Sequence, residues 1–171
     1  MGGGTGPECS ECGLSTWVEI GGGVATDVYR PNLDIQEHPN VDIVIDLEEG
    51  VLPFHDGHAE RVKMVHGINH ISRKAARMIL RECHRILRTG GTIYLMYSDT
   101  DFVIERLVED GLQDCWLNCL YHADEPTPGG FHKWAYNWTT IQEELAAAGF
   151  GNIGDLGPYN AWERKCQAVR P

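Results

Sequence analysis

The residues best placed to do chemistry begin between Thr16 and Leu47. Trp17-Val18-Glu19-Ile20 runs into Gly21-Gly22-Gly23, and two acid-tipped segments follow, Asn32-Leu33-Asp34-Ile35 and Asp42-Ile43-Val44-Ile45-Asp46-Leu47. Glycines after a strand let the backbone pass close to a ligand because they carry no Cβ. A carboxylate at the tip of the next strand can accept both hydrogen bonds of a ribose diol, a common way to hold an adenosine moiety. Downstream, His66 can supply a base near neutral pH, since an imidazole titrates at about 6.5.

Other reactive side chains form less complete patterns. Cys9-Ser10-Glu11-Cys12 could be half of a zinc site, but Cys83, Cys115, Cys119 and Cys166 contain no second CxxC, and His55 and His58 are an isolated i,i+3 pair in a loop. The expectation is therefore no metal and a flexible, reduced leader over residues 1–13, followed by one domain over 14–171. His132, Tyr136 and Asn137 follow a Pro/Gly-rich loop. They could lid a substrate pocket, or Trp134, Tyr136 and Trp138 could pack against a sheet.

The elements that carry these residues alternate between strand and helix. Strands are expected at 16–21, 32–35, 42–47, 61–67 and 92–98. The third, with Ile43-Val44-Ile45, reads as covered on both faces. Only Val24 to Arg30 separates the first glycine turn from Pro31, too little for more than a turn or two of helix. Ser72 can cap a helix to about Arg88, with Ala76, Leu80, Cys83 and Leu87 on one face and Ile79 and Ile86 beside them. A second helix is expected over 101–120, and a third with Thr140 and Glu143 as a capping box. One or two strands should close the chain after Asn152. Such alternation implies right-handed crossovers and a mainly parallel sheet with helices on both faces.

Taken in order, these blocks resemble the class I methyltransferases that use S-adenosylmethionine (SAM), in particular short ones whose Gly-rich turn leads almost directly to the second strand. The resemblance rests on Glu19 to Gly23, Leu33-Asp34-Ile35, Asp42 to Leu47 with Leu52-Pro53-Phe54, and His66 to Ile71. It continues through Glu82 to Gly91, His132 to Asn137 and Ala147-Ala148-Gly149-Phe150. It implies a Rossmann-like fold and SAM as cofactor. Glu19 would orient the Gly turn or the methionine amino group, and Gly21, Gly22 and Gly23 would make room for the amino-acid part. Asp34 and Ile35 would meet the ribose, Asp46 and Leu47 the adenine, and His66 and Gly67 would sit beside the reacting methyl. His66 is the candidate base and His70 a weaker one, while His132, Tyr136 and Asn137 would face the substrate. The family block usually carries a Glu where this chain has Asn69. That departure and the short first helix leave a catalytically silent SAM-binding or partner-binding module as the competing reading.

The acceptor implied is an oxygen or nitrogen of a small or glycan-like molecule. Among 171 residues, 14 basic against 25 acidic side chains give a net charge of −11, which repels polyphosphate and disfavours nucleic acid. Arg73, Lys74, Arg77, Arg81, Arg85 and Arg88 crowd one segment and read as a solvated helix face. Six cysteines without a secretion signal do not make a disulfide framework. No run of ~18 apolar residues or basic, apolar leader is present, so a cytoplasmic protein without a membrane span is expected.

Overall fold

The computed structural model describes residues 4–122 and 130–171. Its elements are β1 (Gly4–Thr5), β2 (Trp17–Ile20), β3 (Tyr29–Arg30), β4 (Asn32–Asp34), β5 (Ile43–Val44), β6 (Ala59–Val65), α1 (Arg73–Ile86), β7 (Leu87–Ser98), α2 (Thr100–Asp110), α3 (Asp114–Tyr121), α4 (Trp138–Ala147), β8 (Gly151–Pro158) and β9 (Glu163–Val169). Seven strands form one sheet in the order β5-β4-β2-β6-β7-β9-β8, and β1 and β3 pair separately. The first five strands of that order are mutually parallel, and β9 runs antiparallel to both β7 and β8. This is the mostly parallel, helix-flanked Rossmann-like sheet that the alternating pattern implies.

The chain leaves β2 toward β4 on one side and reaches β6 on the other. The strand order therefore reverses at β2, and a crevice opens at the carboxyl ends of β2, β4 and β6, where open α/β sheets bind ligands. Burial of Val18, Ile20, Leu33, Val62, Met64, Ile93 and Leu95 fixes these strands, with Ile79, Leu80 and Ile86 of α1 and Ile141 and Leu145 of α4 in the same core. Ser72 caps α1 as expected, its Oγ accepting from the Ala75 N–H at 3.2 Å.

Several expectations need correction. The third strand is not covered on both faces: only Ile43–Val44 pairs, on the sheet edge, and Val44 is 57% exposed. It stops early because Asp46 caps a short 3-10 turn, Leu47–Glu49. No helix forms between β2 and β4, where β3 alone interrupts the loop. The helix expected over 101–120 is split by Gly111, whose φ of 79° an α-helix cannot accommodate. The cap of α4 is Asn137 with Thr140 as its reciprocal partner, three residues earlier than the Thr140–Glu143 box. From Gly4 on, the segment expected to be a loose leader lies against the sheet, with β1 paired to β3 and the Thr16 N–H donating to the Pro7 carbonyl at 2.8 Å. The Pro/Gly loop expected over 121–130 falls largely on residues 123–129, outside the described residues.

Candidate active site

The floor of the crevice is made by two glycines. Gly21, at φ 67°, follows β2, and Gly67 follows β6. A Cβ on Gly21 would lie 3.0 Å from the Gly67 Cα, and one on Gly67 would lie 3.1 Å from the Ile20 carbonyl oxygen. The two backbones touch here, so a side chain at either position would push the ends of β2 and β6 apart.

Around this floor stand Gly23, Asp34, Ile35, Gln36, Asp46, Leu47, Glu48, Val65, His66, His70, Ile71, His122, Gly130 and Lys133. Asp34 ends β4 and is 8% exposed. Its Oδ2 accepts from the Gly23 N–H at 2.8 Å and its Oδ1 from the Gln36 N–H at 3.0 Å. A carboxylate has about four lone-pair sites, so this arrangement sets the carboxylate's orientation and leaves acceptor capacity for two ribose hydroxyls. Asp46 Oδ1 accepts from the Glu48 N–H at 2.9 Å. With Ile35, Leu47 and Ile71 as apolar walls, the Gly cradle and the two acids fit the adenosine end of the expected cofactor.

Of the sequence-derived site, the structure brings Gly21, Gly23, Asp34, Ile35, Asp46, Leu47, His66, Gly67 and His70 to this one crevice. Five residues stand elsewhere, His132 among them in an adjoining cavity. Glu19 is buried beneath it, 3.1 Å from Lys63 Nζ and accepting the Tyr29 N–H at 3.1 Å; it holds the loop after the Gly turn rather than lining the cleft. Gly22 packs against the Asn32 side chain. Tyr136 is 1% exposed in the core, and Asn137 is occupied as the α4 cap, so neither faces a substrate. Asn69, where the family carries Glu, is a staple. Its Oδ1 accepts from the Ser98 N–H and its Nδ2 donates to the Trp134 carbonyl, both at 3.3 Å. An amide can do both, whereas a carboxylate cannot donate.

His66 sits at the end of β6 in the left-handed region, φ 60°. A non-glycine residue there is strained, and such strain persists where surrounding structure enforces it. Its Nε2 lies 2.8 Å from Glu163 Oε1. Burial first, then His70 and His122, pushes the His66 imidazole down to about 4, while burial pushes the Glu163 carboxyl up. A carboxylate at this distance acts in the opposite sense to burial, favouring the imidazolium. The ring is neutral at pH 7.

Next to it, His70, His122 and His132 cluster with ring centroids 4.8–5.4 Å apart. The Nδ1 atoms of His122 and His132 meet the carbonyls of Gly130 at 2.9 Å and Cys119 at 3.1 Å. Burial, reinforced by His70 and His122, pushes His132 down to about 4. His132 thus lines not this crevice but an adjoining cavity that His66, His70, His122, Ser98, Cys119, Trp162 and Glu163 share. The ligand atoms of His70, His122 and His132 lie within 4.8 Å of one another, as do those of Cys9, Cys12, His55 and His58. These two groups are the metal-capable constellations among the described residues.

Sequence reasoning missed Glu48, Lys133 and Glu163. Glu48 accepts from Lys133 Nζ at 2.7 Å and from Ser72 N and Oγ at 2.8 and 2.7 Å. Burial opposes its ionisation, but these bonds outweigh it and hold the carboxyl below its ordinary range. Adjacency to Asp46-Leu47 and to His132 could have flagged the first two. Glu163 reaches the site only because β9 lies antiparallel beside β7, pairing Glu163 with Ser98; no local signal announces it.

Residues 1–95 match the family model for a methyltransferase domain. No curated protein matches the sequence. Among solved structures, a SAM-dependent methyltransferase of Thermotoga maritima, described as a possible histamine N-methyltransferase, is 15% identical with a TM-score of 0.62, over 91% of this chain and 82% of that one. The complex of the Haloferax volcanii Trm112 methyltransferase activator with a protein described as a putative methyltransferase gives 14% identity and a TM-score of 0.58, over 91% and 81%. The CurJ carbon methyltransferase gives 12% and 0.61, over 90% of this chain and 48% of that one. At such identities the likeness is one of fold.

Proposed function

Since the chain belongs to the methyltransferase domain family, and is therefore an enzyme working with SAM, we propose that it methylates an oxygen or nitrogen of a small or glycan-like acceptor with His66 as general base. When bound, SAM supplies an electrophilic methyl group on a sulfonium, so the protein's task is alignment and proton removal. Gly21, Gly67, Asp34 and Asp46 hold the cofactor side. The acceptor side is the adjoining histidine-lined cavity, where Trp162 offers a partly exposed aromatic face and Ser98 a hydroxyl. His66 borders both spaces.

The observation that carries the proposal is the His66–Glu163 contact of 2.8 Å at this border. With Nε2–H donated to the carboxylate, Nδ1 keeps a lone pair for an acceptor proton, and Glu163 steadies the imidazolium that results. An amine or hydroxyl acceptor needs such a base. The net charge of −11 disfavours a nucleic-acid acceptor, and no helix among the described residues is long and apolar enough to cross a membrane. Six free thiols suit a reducing compartment, which supports the cytoplasm as its site of action.

The test is incubation with methyl-labelled SAM and a pool of amines, phenols and glycosides, with the methylated atom identified in the product. His66→Ala should slow turnover by about 10²- to 10⁴-fold while SAM affinity changes far less. Because the base must be neutral, the acid limb of the rate profile should fall below the ordinary 6.5 of histidine, toward the value of about 4. Methylation at carbon, or a His66→Ala rate within threefold of the unaltered enzyme at every pH, would overturn the assignment. SAM binding without transfer to any acceptor would favour a silent module.

A further inference from the structure

We propose that Cys9, Cys12, His55 and His58 form a structural zinc site that clamps the amino-terminal segment to the sheet. The two halves are separated by more than forty positions: Cys-x-x-Cys in the first loop and His-x-x-His just before β6. Neither is a site alone. The fold brings Cys9 Sγ to 3.2 Å from His55 Nε2 and Cys12 Sγ to 3.5 Å from His58 Nδ1, and all four ligand atoms lie within 4.8 Å of one another. Zinc bonds sulfur at about 2.3 Å and imidazole nitrogen at about 2.0–2.1 Å, so neighbouring ligand atoms of a tetrahedral site stand roughly 3.3–3.8 Å apart. The Cys12–His58 distance of 3.5 Å falls in that range, the Cys9–His55 distance of 3.2 Å lies just below it, and none of the others exceeds 4.8 Å.

The imidazole tautomers are set for ligation. His55 Nδ1 lies 3.0 Å from the Asp56 carbonyl, and His58 Nε2 lies 3.0 Å from the Ser15 carbonyl. A carbonyl can only accept, so each of those nitrogens carries the proton. The lone pairs are thereby left on His55 Nε2 and His58 Nδ1, the two atoms that face the thiols. Anchoring of the far ring nitrogen by a carbonyl is the usual outer support of a zinc-bound histidine. The Cys9–Gly13 turn, closed by the Gly13 N–H on the Cys9 carbonyl at 2.8 Å, presents both sulfurs to one side. His58 is 2% exposed and stacked on Phe54 at 4.7 Å between ring centroids.

The chemistry of the donor set names the metal. Two thiolates and two imidazoles in a tetrahedral set suit zinc over magnesium or calcium. Binding exchanges up to two thiol protons for one divalent cation, leaving a neutral centre suited to a half-buried place. With four protein ligands no coordination position stays open, which is the mark of a structural site. The location agrees. His55 and His58 precede the amino end of β6, whereas His66 and the crevice lie at its carboxyl end, a seven-residue strand away, or roughly 23 Å. Among the described residues the segment is also tied by the short β1–β3 pairing, the Gly4 N–H on the Val28 carbonyl, the Thr16–Pro7 contacts and the Glu11–His55 pair.

The test uses the full chain purified without chelator. Elemental analysis should find one zinc per chain. Cobalt(II) substitution should give the intense visible bands of a tetrahedral site together with a thiolate-to-cobalt charge-transfer band. Cys9→Ser with Cys12→Ser should lose that band and weaken metal binding by about 100-fold or more, beyond the ~10- to 100-fold that loss of an outer partner costs. Cys115→Ser with Cys119→Ser should keep both. Zinc well below stoichiometric after reconstitution would overturn the site. So would a cobalt spectrum without thiolate character, which would point instead to the His70–His122–His132 group. If the Cys9/Cys12 variant does not fold, the cobalt spectra of the unaltered chain and of the Cys115/Cys119 variant decide.

Discussion

The two crossovers that flank the crevice connect parallel strands by different physics. Between β6 and β7 the chain uses α1, whose Ala75, Ala76, Ile79, Leu80, Cys83 and Ile86 are buried. Between β2 and β4 there is no helix, and polar side chains hold the loop instead. Glu19 accepts from Tyr29, Asp34 from Gly23, Asn32 Nδ2 donates to the Gly23 carbonyl at 3.1 Å, Asn40 Nδ2 to the Val24 carbonyl at 2.9 Å and Lys63 Nζ to the Asp27 carbonyl at 3.1 Å. The β2–β4 side of the crevice therefore depends on charges and hydrogen bonds, where the α1 side depends on apolar burial. The first should respond to pH and to single polar substitutions; the second should respond to lost volume.

The sharpest break is Lys63→Met. Lys63 and Glu19 are 6% and 1% exposed and 3.1 Å apart, and removing one member of a buried pair typically costs about 3–5 kcal/mol. Urea unfolding at pH 7 should show a loss of that order. Burial pushes the Glu19 carboxyl up to about 7 despite Tyr29 and Lys63. A carboxyl raised on folding binds its proton more tightly in the native state, so its contribution is complete below about 4.5 and is lost as pH rises through about 7. Without Lys63 the carboxyl should rise further, so the two native states differ in protonation mainly above pH 7 and the deficit should grow from pH 7 to about pH 8.5. A deficit independent of pH would mean that packing of the lysine stem, rather than charge, holds this loop.

The counterpart on the other crossover is Leu80→Ala. Leu80 is fully buried, and such truncations cost about 2–5 kcal/mol. The loss should be the same at pH 7 and at about pH 8.5, and SAM affinity of the folded fraction, measured by calorimetry, should be unchanged. A pH-dependent loss here would erase the distinction between the two crossovers.

This contrast also marks what the sequence made legible. Helix α1 announced itself, since Ser72, an apolar stripe and a basic end are local features with a 3.6-residue period. Gly21, Asp34 and Asp46 were legible because their order along the chain mirrors the order of strand tips around the crevice. The polar loop was not: Glu19 pairs with Lys63 across two strands, and a carboxylate after a strand reads equally well as ligand-facing. Tyr136 and Asn137 misled for the same reason, being polar residues whose partners are a core and a helix end. The crowded basic run is a face of ion pairs, with Arg73 and Arg77 on Glu144, Arg85 on Glu82 and Asp56, and Arg88 on Glu60. The half-sites at Cys9-Cys12 and His55-His58 were each visible, but only the register of β2 against β6 brings them together.

The smallest effect expected tests whether the two crossovers are independent. Ser72 caps α1 and its Oγ also donates to Glu48 Oε2 at 2.7 Å, while Glu48 forms part of the crevice wall. Ser72→Ala should cost about 1 kcal/mol, the usual value for a lost N-cap, read as a shift in the urea midpoint with an unchanged slope. Glu48 would keep the Ser72 N–H at 2.8 Å and Lys133 at 2.7 Å, enough to hold the carboxylate in place. SAM affinity should therefore move by less than about threefold, since two of three bonds remain and each is typically worth only ~1 kcal/mol. A larger loss of affinity, with stability changed no more than the cap predicts, would show that the start of α1 positions the cofactor wall through Glu48, and that the apolar crossover reaches into the polar one.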